Sequence, residues 1–597
     1  MTVMGYGKIN SPSRQTSGTS QADSRRLMWT GTLFALKRTR STSARAWHIP
    51  SSLLFATTPM TPRGDAALKK AYLACIGTVI RAVLAVATCC ALGASANAQP
   101  SDDAATIMQN KCIACHNTKA FGPWGRISRQ RKTPEGWLMS IARMQNAHGL
   151  QISDEDRRTV VKYLADRQGL APSETAPVRY ALESRLNTVE HIGDQQYVEM
   201  CARCHSAARP ALQRRPEQEW RYLINQHVGQ WPSIEYSNLG RDRDWLPIAL
   251  NKIAPYLAKT FPSDSVAWTQ WQKSQPGPSA FTGSWSFSGH MPGRGDLRGQ
   301  MQVQSSGKDL YAVDVKGVYA DGSPFKGNGT ALVYTGYEWR GSITIDGVPM
   351  RQVFAVLDGR MQGRMFEVEH TERGLDFAAV RQDAPATVLS VQPSYIKRGA
   401  ESVLTLVGTG LKDQPTFGAG IEVLSVEGQG DAMQVKVRAD TNAATGMHTV
   451  HVGTANAAFA VYESVDQVKV EPAYAVARIG SNGGSRPKVE GRFDAEAWGK
   501  DDQGKAFRIG ALPAHWSVAP FDDVAKQQQD VAFAGVMDAA HGVFTPGDAG
   551  PNPQREMHTN NTGNLKVLAD VQDGGRTITG EGQLIVAVQT WVNPPIP

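Results

Sequence analysis

Cys112-Ile113-Ala114-Cys115-His116 and Cys201-Ala202-Arg203-Cys204-His205 are the two stretches from which the rest of this chain can be read. In each, thiols at i and i+3 precede a His. That pattern suits covalent haem attachment, in which the thiols add to the haem vinyl groups and the His becomes the proximal iron ligand. Chance would supply on the order of 0.002 such pentads in a chain with 7 Cys and 13 His among 597 residues, before a second is required. The expectation is two covalently bound haem c groups, attached through Cys112, Cys115, Cys201 and Cys204, with His116 and His205 on the irons.

Helical patterns surround both pentads. Asp103 to Lys111 reads as a helix leading into the first, and Ser153 with Asp156 forms a capping box ahead of Val160, Val161 and Leu164. Asp194 to Met200 and Ile248 to Lys259 repeat that plan around the second pentad. The repeat points to the distal ligands. Aligning Trp137 with Trp220 places Met144 on His227, each seven residues after its Trp. Seven residues are two helical turns, about 10 Å, so Trp and ligand share a helix face. The reading is His116 and Met144 on the first iron and His205 and His227 on the second, with Trp137 and Trp220 packing near the macrocycles. A Met on an apolar helix face is ordinarily core, and Met139 or His148 could replace Met144; His191 and His148 compete with His227. A thioether favours ferrous iron, so a His/Met haem sits at higher potential than a bis-His one. Electrons then run from the second haem to the first.

From Pro276 the period changes from 3.6 to 2, beginning with Phe281, Gly283, Trp285 and Phe287. The whole reads as an all-α diheme cytochrome c domain (99–275), an antiparallel β-barrel (276–384), and two immunoglobulin-like β-sandwiches (385–464 and 465–597). Asp346-Gly347 and Asp358-Gly359 read as turns in the barrel, and Gly408-Thr409-Gly410 as a turn in the first sandwich. His448, His451, His541 and His558 have no partner at metal-ligand spacing. Nothing in these three modules reads as catalytic, and a platform for partner proteins is the expectation.

Residues 1–98 read as separate from the folded protein. Lys69 and Lys70 precede an apolar run from Ala82 to Ala94, and Ala96-Asn97-Ala98 is a small-x-small cleavage site, together a secretory signal peptide. The apolar run is short for a membrane span. Translation from Met60 would make 1–59 a non-native extension. Cleavage near Ala98 removes Cys75, Cys89 and Cys90 and leaves only the four haem thiols, in a periplasmic protein. The formal charge of +8 lies largely in the first 81 residues without a basic-aromatic face, so nucleic-acid binding is not expected.

The order of modules, the two pentads and the Trp-to-ligand register resemble the α subunit of quinohemoprotein amine dehydrogenases, over essentially all of 99–597. The resemblance implies a heterotrimer in which a small subunit carries cysteine tryptophylquinone and oxidises primary amines. A β-propeller subunit would help frame that site. This chain would take the electrons through its haems to a soluble periplasmic copper protein or cytochrome c. The quinone is expected in the partner, since no Cys remains here to form it. Two other readings stay open: the diheme cytochrome subunit of a different periplasmic dehydrogenase, and a diheme peroxidase-like enzyme.

Overall fold

A computed structural model of the chain describes residues 103–118, 122–202, 205–235, 243–481 and 486–589. The expected signal segment 1–98 and Cys204 lie outside the described residues. Strand outweighs helix, 43% to 26%. That overturns the expected fold class at its first module, because the haem region is not all-α.

The first unit of that region has three regular helices: α1 (Ala104–Lys111), α2 (Pro134–His148) and α3 (Asp154–Arg167). Thr133 caps α2, its Oγ1 accepting from the Gly136 N–H at 3.3 Å, and Pro134 at the first position needs no donor. Gly149, at φ 71°, ends the helix in a left-handed conformation. Ser153 caps α3 by accepting from the Asp156 N–H at 3.0 Å. Trp137 and Ile141 of α2 bury against Ile107 and Met108 of α1 and Val160, Val161 and Leu164 of α3. Each side chain so buried contributes about 1.5–3 kcal/mol. The second unit has α4 (Glu217–Gln230) and α5 (Ala254–Thr260), packed around Trp220, Ile224, Trp245 and Leu257.

Between these helices the backbone takes other forms. The first pentad coils into a turn, with the N–H groups of Cys115 and His116 both donating to the Cys112 carbonyl (3.2 and 3.0 Å). Wider π turns occupy Val198–Ala202 and Ala249–Ile253, and 3₁₀ turns Gly125–Arg129, Ala176–Ala181 and Pro232–Glu235. A two-residue antiparallel ladder joins the units: β1 (Arg131–Lys132) pairs with β2 (Gln213–Arg214), Arg131 opposite Arg214. Each of these arginines stands six residues before its unit's Trp. Equivalent positions of the repeat therefore face each other, as a local two-fold relation between the units requires. Glu174, in the connection between the units, binds both arginines.

Eight antiparallel strands, β3 (Gly283–Met291) to β10 (Gly374–Arg381), pair in order, and β10 closes on β3. Trp285, Phe287, Tyr311, Trp339, Phe354 and Phe377 fill the interior. Asp346-Gly347 and Asp358-Gly359 have positive φ at both residues, as type I′ hairpin turns demand. The barrel holds the haem region at one side. Tyr337 Oη lies 2.9 Å from Thr175 Oγ1, Arg340 Nε donates to Glu135 at 2.6 Å, and Arg364 donates to the Glu183 and Ser184 carbonyls.

Residues 387–462 form two facing four-stranded sheets, with Tyr395–Lys397 parallel to Ala455–Tyr462. Here Gly408-Thr409-Gly410 is not a turn. It lies inside the strand Glu401–Leu411, where the register breaks between Val407 and Leu411 and Gly410 has φ 65°. A Cβ on Gly408 would stand 1.9 Å from the Thr387 carbonyl, so the glycine there serves close strand approach. The last module departs further from a two-sheet sandwich. Its strands make three sheets, the third formed by Gly491–Arg492, Gly535–Asp538 and Val543–Pro546.

Candidate haem centres

In the first unit Cys112 is half-buried, Cys115 exposed and His116 half-buried. Gly125, at φ 54°, passes so close to His116 that a Cβ there would lie 2.9 Å from the His116 carbonyl. Burial, then the charges of Arg126 and His148, hold the His116 imidazole below its usual range, which favours the neutral form that ligates metals. His148, at the C-terminal end of α2, thus lies within electrostatic reach of His116. Met144, one turn earlier on α2, is half-buried. Met139 is engaged elsewhere: its sulfur accepts from Arg143 Nη2 at 3.0 Å and from Arg209 Nη2, in the second unit, at 3.1 Å.

In the second unit Cys201 is half-buried at the end of a π turn. His205 Nδ1–H donates to the Ser206 carbonyl at 2.9 Å, and His227 Nδ1–H to the Leu223 carbonyl at 2.8 Å. A carbonyl only accepts, so both rings carry their proton on Nδ1 and present Nε2 as the free donor atom. Burial lowers both imidazoles, and the charges of Arg209 and His227 further lower His205, so the two rings lie within electrostatic reach of each other. His191 is exposed. Trp220 is 1% exposed and its Nε1–H has no acceptor among the described residues, whereas the matching Trp137 Nε1–H donates to the Gln168 carbonyl at 3.2 Å.

The chemistry of these residues fits haem. Neutral imidazoles with Nδ1 tied to the backbone are oriented iron ligands, and Cys112 with Cys115 sits on a turn that continues a helix.

The charged belt between the units escaped the sequence reading. Glu219, 1% exposed, accepts from Arg126 Nε and Nη2 (3.0 and 2.9 Å) and from Gln130 Nε2 (3.1 Å). Arg126 also lies 4.3 Å over the Tyr222 ring. The available signal was the repeated basic pair ahead of each Trp helix, Arg131-Lys132 and Arg214-Arg215.

Family models match four stretches of the chain. Residues 102–268 match "Quinohemoprotein amine dehydrogenase A, alpha subunit, haem binding". Residues 278–382, 385–463 and 468–596 match domains II, III and IV of the quinohemoprotein amine dehydrogenase alpha subunit. No curated protein matches the sequence. Among solved structures, a de novo designed fluorescence-activating β-barrel is 24% identical over 17% of this chain and 95% of its own, with a TM-score of 0.16. Drosophila N-cadherin EC1–3 is 11% identical over 43% of this chain and 85% of its own, with a TM-score of 0.18.

Proposed function

The chain belongs to the quinohemoprotein amine dehydrogenase alpha-subunit family and contains its haem-binding domain, and we propose on that basis that it is the electron-transfer subunit of a periplasmic amine dehydrogenase. The family is a subunit of a multisubunit oxidoreductase. No helix among the described residues is long and apolar enough to cross a membrane.

The observation that carries the reading is the matched donor set: two Cys-x-x-Cys-His pentads, each followed by a Trp helix bearing a further ligand type in the same register. Oxidation of a primary amine with water gives an aldehyde and ammonia, and releases two electrons and two protons. A quinone cofactor in a small partner subunit, framed by a propeller subunit, would deliver those electrons singly. Haem bound here supplies reversible one-electron exchange at iron. Cys112, Cys115, Cys201 and Cys204 would attach it. His116 and Met144 would hold one iron, His205 and His227 the other. A Met144 thioether would favour the reduced state and a His227 imidazole the oxidised state, so the two ligand sets would set the first unit at the higher potential. A soluble copper protein or cytochrome c then accepts from the first unit. Engagement of the Met139 sulfur by two guanidinium groups supports Met144 over Met139.

Redox titration of the holo-complex with spectroscopic ligand assignment tests the order. Met144→His is expected to lower the higher midpoint potential and abolish the thioether-to-iron charge-transfer band, while Met139→Leu leaves that band in place. Loss of the band on Met139→Leu, or a bis-His haem at the higher potential, contradicts the assignment.

A further inference from the structure

Four cations gather where the two units meet: Lys132 on β1, Arg143 on α2, Arg209 after the second pentad, and Arg215 just past β2. Lys132 and Arg215 are 3% and 4% exposed, and Arg209 lies at the rim. Among the described residues none of the four pairs with a carboxylate. Lys132 Nζ donates to Ser140 Oγ at 2.5 Å and Arg215 Nε to Gln213 Oε1 at 2.9 Å. Arg143 and Arg209 donate to the Met139 sulfur, and a thioether is a weak acceptor. Glu219, whose charge reaches Lys132 and Arg215, is already held by both arms of Arg126 and by Gln130. Buried cations without counter-charge are costly, so a cluster of this kind marks a place where anions are received.

The cluster lies within electrostatic reach of the second unit's candidate iron ligands. The charges of Arg143, Arg209 and Arg215 all reach His227, and that of Arg209 reaches His205. A separate observation points the same way. The Trp220 indole N–H, on the same helix as His227, is buried without an acceptor among the described residues, and the Arg215 guanidinium lies 5.6 Å over its ring. An orphaned donor beside unpaired guanidinium groups calls for a carboxylate. Lys132 and Arg215 are too deep for a macromolecular partner to contact.

We propose that Arg143, Arg209, Arg215 and the Trp220 indole N–H receive the propionate carboxylates of the haem attached at Cys201 and Cys204. The inference rests on the two-haem reading above. Arg143 belongs to the first unit, so the second haem is clamped by both units, and α2 serves both pockets: Met144 ligates one iron while Arg143 anchors the other macrocycle. Positive charge at the propionates favours the added electron, which keeps the bis-His site from falling too low to pass electrons on.

The test uses the holo-complex carrying Arg143→Gln, Arg209→Gln, Arg215→Gln or Trp220→Phe. Mass spectrometry of haem peptides comes first: an unsubstituted chain with a single haem overturns the two-haem reading, and this inference with it. With two haems present, spectroelectrochemical titration is expected to show the midpoint of one haem falling in each Arg→Gln variant. The ratio of reduced to oxidised haem at fixed potential should drop about tenfold, equivalent to about 59 mV for one electron, and recover with Arg→Lys. The other haem should keep its midpoint. Two haems with unaltered midpoints throughout, or equal falls in both, overturn the propionate assignment while leaving the two-haem reading intact. Should the Gln variants fail to hold haem, Trp220→Phe decides: a shifted propionate bending band in the resonance Raman spectrum supports the assignment, and an unshifted band refutes it.

Discussion

At the scale of single residues, Glu174 ties the paired strands of the two units together. Its side chain is 8% exposed. It accepts a forked pair from Arg131 (2.9 Å each), a bond from Arg214 Nε at 3.1 Å and one from the Ala171 N–H at 2.8 Å. Burial alone would raise its pKa, but the Arg131 hydrogen bonds, the Ala171 N–H and the two arginine charges outweigh it and hold the carboxyl at about 2. A carboxylate whose folded pKa lies below its unfolded one stabilises the fold above the unfolded pKa, and that stabilisation disappears as pH falls through the folded value. Glu174→Gln is therefore expected to cost roughly 3 kcal/mol near neutrality, the order found when one side of a buried ion pair is removed. The difference from the unsubstituted protein should shrink from about pH 4.5 downward, toward pH 2. Urea unfolding of both proteins across that range measures it; a constant difference would contradict the account.

At the scale of elements, long periodic segments were legible and short or two-sided ones were not. The helices carrying Trp137 and Trp220, the Ser153 cap and the Asp-Gly hairpin turns are each written in a local pattern, whereas that pattern leaves Met139 and His148 as alternatives to Met144, and His191 and His148 as alternatives to His227. The ladder between β1 and β2 is two residues long, and nothing in Arg131-Lys132 or Gln213-Arg214 separates strand from coil until both units are folded against Glu174. That is why the haem region read as all-α and is not. Gly408-Thr409-Gly410 misled for the opposite reason. Glycines spell a turn in sequence, yet here they let one strand approach Thr387 and accommodate a register break. Of the candidate site, the residue types able to ligate iron stand in the sequence, while the cation cluster was not legible, since its members come from both units and Arg143 is distant in sequence from Arg209 and Arg215.

At the scale of the whole molecule, the β modules hold the haem region and one another through buried and half-buried polar contacts. His290 of β3 donates from Nδ1 to Asp296 at 2.7 Å and from Nε2 to Asp494 at 3.0 Å, linking barrel and last module. Burial alone would lower this imidazole, but the two carboxylates outweigh it and raise its pKa to about 10. A histidine raised on folding stabilises fully below its unfolded pKa, near 6.5, and ceases to do so as pH rises through the folded value. His290→Asn should thus lower the Tm at pH 6, with the deficit fading as pH approaches 10; a deficit that grows with pH would refute it. The central claim is that electrons from an amine reach both haems of this chain. Purified native complex mixed anaerobically with n-butylamine tests it directly: the account predicts reduced haem bands from both ligand classes, with no reduction after the quinone-bearing partner is removed. Haems that stay oxidised under amine, but are reduced by an alcohol or a sulfur compound, would contradict it.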